Sequence, residues 1–150
     1  MEDKFKKTEA VLYRYKDIDK LNKLADLKIK KLLNDVSLGG GDMFGEKSSP
    51  TNQFHSTVEN DVIDRENREI DKQINQLRKE KENRIIEKEL IDAAMKELLE
   101  EEERQLINIR YFTPGKIPPK WDIIASRMNL GRDTCIKMRR EIIYKLSQWI

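Results

Sequence analysis

The chain is poor in the residues that most catalysis and cross-linking require. It has one cysteine, Cys135, and one histidine, His55. Within one chain, therefore, neither a disulfide framework nor a tetrahedral zinc site can be assembled. No run of eighteen apolar residues occurs, and the opening "MEDKFKKTEAVLYRY" lacks an apolar core followed by a small-residue cleavage site. The expectation is a protein of a reducing cytoplasm that is neither exported nor held in a membrane. Aromatic residues are 7% and hydrophobic residues 37%, against 39% charged. That balance favours extended, solvated helices over one large core. There is no evident nucleophile and base pair, and "GGG" at 39–41 lacks the Lys-Ser/Thr that completes a phosphate loop. No enzyme activity, cofactor or metal is expected.

The charge is present in quantity and is unevenly distributed. The formal net charge is only +2. Residues 104–150, however, hold ten Lys/Arg and three Asp/Glu, a net of +7, while 1–103 hold twenty and twenty-five, a net of −5. The basic charge is concentrated where a nucleic-acid module would need it.

Residues 3–36 place Val11, Tyr15, Ile18, Ala25, Ile29, Leu32 and Val36 at helical spacing, with a charged far side. The stretch "SLGGGDMFGEKSSPTNQFHST" then argues against a continuing helix, and 37–56 reads as a flexible hinge. A second long helix is predicted from about Thr57, a good N-cap, with Ile63, Ile70, Ile74 and Leu77 as its first stripe. The stripe lapses at "RKEKEN" and resumes with Ile85, Ile86, Leu90, Ile91, Ala94, Met95, Leu98 and Leu99. An antiparallel hairpin or a dimeric coiled coil would each bury these faces. Residues 1–99 thus read as a helical, oligomerisation-competent region, and 100–150 as a separate domain.

In that last segment "EEEERQLINIRYF" begins with acids suited to a helix start and spaces Leu106, Ile109 and Phe112 for burial. "TPGKIPP" ends it. Trp121 opens a short helix with Ile124, Ala125 and Met128 facing inward. Asn129 tolerates a left-handed backbone, Leu130 plugs the turn, and Gly131 caps the next helix. That helix buries Cys135, Met138, Ile142 and Leu146 and leaves Arg132, Asp133, Thr134, Ile136, Lys137 and Arg140 outside. Guanidinium and ammonium groups suit guanine edges and phosphates, a hydroxyl suits several partners, and an aliphatic group suits the thymine methyl. Arg132, Thr134 and Lys137 are expected in the major groove, with Arg139 and Arg140 near phosphates.

Plainer readings hold elsewhere. Cys135, in an inward stripe, reads as a structural thiol and not a redox switch. His55 reads as solvated, "EEEE" at 100–103 as helix-dipole complementation and not a magnesium site, and Trp121 and Trp149 as core or rim. For the basic helix face the plain reading is a merely solvated surface. The coincidence of turn, small residue, inward stripe and charge favours duplex DNA.

"LEEEERQLINIRYF…WDIIASRMNLGRDTCIKMRREIIYKL" resembles the promoter-reading region four of bacterial sigma factors. The N-terminal "TEAVLYRYKDIDKLNKL", the "SSPTNQFHSTVENDVI" stretch and the length resemble the RinA/ArpU group of small phage and prophage regulators, which activate late genes. The resemblance implies an all-α protein with a C-terminal helix-turn-helix that activates transcription with host RNA polymerase and self-associates through its N-terminal helices. Gly131 departs from the Ser or Thr usual at that cap. A phage small terminase subunit, or a sigma-like polymerase partner with weak DNA binding, would share much of this outline.

Overall fold

The computed structural model describes the backbone of residues 2–40 and 57–150, and the side chains of 2–35 and 62–150. Among these residues the protein is all-α. Its helices are α1 (Glu2–Tyr15), α2 (Ile18–Gly40), α3 (Thr57–Leu98), α4 (Glu101–Arg110), α5 (Trp121–Met128) and α6 (Arg132–Leu146). None is long and apolar enough to cross a membrane, among the described residues.

The stretch 3–36, read as one helical run, is two helices. It breaks at Lys16 and Asp17, where the Asp17 amide bonds back to the Arg14 carbonyl at 3.0 Å. Asp17 then stands directly before Ile18, in the position where an aspartate favours a helix start. At its far end α2 reaches Gly40, four residues into the segment read as a hinge. The rest of that segment, 41–56, lies outside the described residues, His55 included. Helix α3 begins with Thr57 as its first helical residue, so the cap, expected at Thr57, falls one residue earlier and outside the described residues.

Two compact units divide the chain, and they differ from the two regions expected on either side of residue 100. One consists of Met1–Asp19 with Arg84–Ile150; the other is Lys20–Asn83. The larger unit has a single apolar core in which Leu12 of α1 and Ile91 of α3 join Leu106, Ile107, Ile124, Cys135, Ile142, Ile143 and Leu146. Leu12 and Ile91 are both fully buried. Each such side chain contributes about 1.5–3 kcal/mol relative to exposure, which is why a short, charged α1 is captured by distant helices.

Within this unit α1 is also bonded to the end of α3. The Tyr15 hydroxyl donates to Asp92, and Arg14 pairs with Glu87 at 2.8 Å. Lys88 donates to Asp19, in the first turn of α2, at 2.9 Å. In the smaller unit Ala25, Ile29 and Ile74 are buried, and Lys81 donates to Asp26 at 2.6 Å.

The face of α4 also differs from expectation. Leu106, Ile107 and Tyr111 are fully buried, whereas Ile109 and Phe112 are only partly so. The buried set has the i, i+3, i+4 spacing of one helix face together with Glu103, a charged residue that a search for apolar spacing passes over. The acids at the start of α4 do stand in its first turn, where they complement the dipole. Glu103 additionally accepts from the Glu100 amide at 3.0 Å and from Lys145 of α6 at 3.0 Å.

Candidate nucleic-acid interface

Residues 121–146 form two short helices joined by a three-residue turn. Asn129 ends α5 in the left-handed conformation, φ 55° and ψ 40°. Only an Asn-like residue or glycine takes this shape at low cost. The Leu130 amide then reaches back to the Ala125 carbonyl at 3.0 Å, satisfying a helix end that water would otherwise have to serve. Leu130 packs on the core, and Ala125 and Met128 are buried beneath it. Gly131 is the N-cap of α6 in extended backbone. A Cβ there would meet the Thr134 hydroxyl at 3.5 Å, an ordinary contact, so glycine is not demanded by space.

Helix α6 has two chemically distinct sides. Cys135, Ile142, Ile143 and Leu146 are fully buried, and Met138 is half-buried. Arg132, Asp133, Thr134, Lys137 and Arg140 are exposed, and Ile136 is half-buried. Arg132 lies 3.7 Å from Asp122 of α5, but both groups are open to water and such a pair contributes little. Its guanidinium can therefore exchange that carboxylate for another partner. The exposed side thus offers two guanidinium groups, an ammonium and a hydroxyl from consecutive turns of one rigid helix.

Arg139 stands apart from its neighbours. It is half-buried, and its Nε donates to Glu9 Oε1 at 2.8 Å and to the Tyr111 hydroxyl at 3.2 Å. A second guanidinium nitrogen also bonds Glu9. The Tyr111 hydroxyl donates to the same carboxylate at 2.5 Å. Its guanidinium lies over the rings of Phe5, at 5.1 Å, and Trp121, at 5.7 Å. Burial alone would favour losing the proton, but the bonds to Tyr111 and Glu9 outweigh it and hold Arg139 more firmly protonated than usual. Expected near phosphates, this residue instead has its charge neutralised inside the protein.

The same network perturbs Tyr111. Burial first, and then donation to Glu9, push its hydroxyl well above the ordinary tyrosine range, with Arg139 opposing. Glu9 is the residue that sequence reading missed here, because its partners are 102 and 130 positions away. Burial likewise pushes the Cys135 thiol up, with a smaller contribution from Glu102, as a structural thiol requires. Trp121 is half-buried under the Arg110 guanidinium at 4.7 Å, whereas Trp149 is largely exposed. Among the described residues no group of three or more His, Cys, Asp or Glu side chains could hold a metal ion.

Against known protein families, the chain matches one model over residues 18–148, described as "Protein of unknown function (DUF722)". No curated protein and no solved structure matches.

Proposed function

The chain belongs to the DUF722 family, whose description assigns no function, and we propose that it is a sequence-specific duplex-DNA-binding protein. On this reading α5, the Asn129–Gly131 turn and α6 are a helix-turn-helix of the sigma-region-four kind. Its role is then activation of phage or prophage late genes in company with host RNA polymerase. The observation that carries the reading is the two-sidedness of α6. One side is sealed into the core through Cys135, Ile142, Ile143 and Leu146, and the other presents Arg132, Thr134, Lys137 and Arg140 to solvent.

In the proposed mechanism α6 enters the major groove with its N-terminal half. Arg132 and Lys137 reach base edges and Thr134 assists, while Arg140 contacts the phosphate chain. Phosphate contacts set the affinity and its salt dependence, and base edges set the site. The activating role rests on the resemblance to RinA/ArpU regulators. Self-association through the N-terminal helices finds support in apolar side chains left facing solvent, Leu24 and Leu27 on α2 and Ile86 and Leu90 on α3.

The test is fluorescence anisotropy of a labelled duplex titrated with the full chain at rising salt. A steep loss of affinity is expected, because several cations displace condensed counterions. Affinity that stays flat between low and physiological salt would remove the groove-binding model. A reporter fused to the bound region then separates activation from a packaging role, since a terminase subunit would leave its expression unchanged.

A further inference from the structure

We infer that α1 supplies a second set of DNA contacts, with Lys4 and Lys6 each contacting backbone phosphate beside the reading face of α6. This inference rests on the proposed duplex binding. It starts from a groove of about 800 Å³ between α1 and the C-terminal half of α6. Lys4, Phe5 and Lys6 line one wall, and Arg140, Tyr144 and Gln148 line the other.

The groove is rich in donors. Lys4, Lys6 and Arg140 are exposed cations, and Tyr144 adds a hydroxyl, while the Gln148 amide already donates to the Tyr144 carbonyl and the Ser147 hydroxyl. Two carboxylates also lie along it, Glu2 and Glu9. Glu9 is already neutralised by Arg139, while Glu2 meets Lys6 only in an exposed pair at 3.1 Å that salt screens. The charge left over is positive. Phosphodiester groups are held by such mixtures of ammonium, guanidinium and hydroxyl donors.

Position follows from the same contacts. Glu9 is five residues from Lys4 on one helix, and its bonds to Arg139 clamp that helix to α6 next to Arg140. The stretch of α1 that carries the two lysines is therefore held beside the exposed face of α6. A duplex lying on that face would bring its backbone to the groove, and α1 would widen the footprint without reading bases.

The experiment compares the full chain with K4Q/K6Q, K4R/K6R and the control K30Q, on one duplex of mixed sequence, by anisotropy over a salt series. Each lost phosphate contact lowers the slope of log affinity against log salt by roughly 0.9, so K4Q/K6Q should lower it by roughly one to two. K4R/K6R and K30Q should keep the wild-type slope. Thermal unfolding checks that the fold is intact, and retention by K4R/K6R isolates charge from any loss of packing. If the wild type binds with a steep slope and K4Q/K6Q matches it, the proposal is overturned while duplex binding stands. That result would turn the groove over to a different occupant, such as an acidic peptide. If the wild type shows no salt-sensitive binding, the reading beneath the proposal falls and the proposal with it.

Discussion

Arg139 of α6 donates to Glu9 of α1 across 2.8 Å, joining residues 130 positions apart. Neither side chain is more than about a quarter exposed, at 22% and 15%. The pair therefore fixes the first helix to the last and removes Arg139 from the surface that its neighbours share.

Glu9→Ala should destabilise the larger unit by about 2–4 kcal/mol, because it strands a mostly buried guanidinium and the Tyr111 hydroxyl without their acceptor. Circular dichroism melting reads this directly. The double variant Glu9→Leu/Arg139→Met should recover the part of the loss owed to the stranded charge, and adding Tyr111→Phe should recover the part owed to its unpaired hydroxyl. An unchanged melting temperature for Glu9→Ala would mean the pair contributes nothing in solution.

Arg132→Ala and Lys137→Ala should weaken discrimination between a cognate and a random duplex while leaving the melting temperature unchanged. A base-reading pair contributes roughly 1–3 kcal/mol of discrimination, so the ratio of the two affinities should narrow about tenfold or more for Arg132. Ile142→Ala is the contrast. It opens a cavity at a fully buried position and should cost about 2–5 kcal/mol of stability. Arg132 and Lys137 variants that bind and discriminate as the wild type does would return α6 to the plain reading of a solvated basic helix.

Stability should fall as the solution is made alkaline. Tyr111 and Cys135 both have folded-state values raised above their ordinary ones, by burial first in each case. The unfolded chain therefore releases these protons at lower pH than the folded one. Their contribution is whole below about pH 8 and is lost progressively as pH rises past the ordinary thiol value near 8.5 and the tyrosine value near 10. Urea titrations at a series of pH values should show this decline, and Tyr111→Phe should flatten its upper part. A stability that rises through pH 10 would contradict the buried network.

Cys135 should resist thiol reagents until the larger unit opens, because it is fully buried and its thiolate is disfavoured. The labelling rate of native protein in a colorimetric thiol assay should track global unfolding and rise steeply with urea. Rapid labelling of native protein would place this sulfur at the surface and unseat the inward stripe of α6.

Much of the last third was legible in the sequence because its rules are local. The left-handed Asn129, the Gly131 cap, the inward Cys135, Ile142 and Leu146, and the outward Arg132, Lys137 and Arg140 follow from backbone sterics and a 3.6-residue period acting over a few neighbours. The same period held a warning that composition obscured. Arg139 is four residues after Cys135 and three before Ile142, so it shares their stripe, yet a guanidinium is expected in water unless a partner is in view.

Tertiary structure alone decided what lies far apart in the chain. Helical periodicity states that Leu12 has an apolar face to bury but not against what, and only packing brings it to Ile91, Leu106 and Ile142. Nothing local to Glu9 announces Arg139, because desolvating an acid is tolerable only where the fold supplies its counter-charge. For that reason the sequence by itself determined the turn, the two helices it joins and the outward Arg132, Lys137 and Arg140, whereas the break between α1 and α2, the inward Arg139 and the assignment of α1 to the unit that carries them had to wait for the fold.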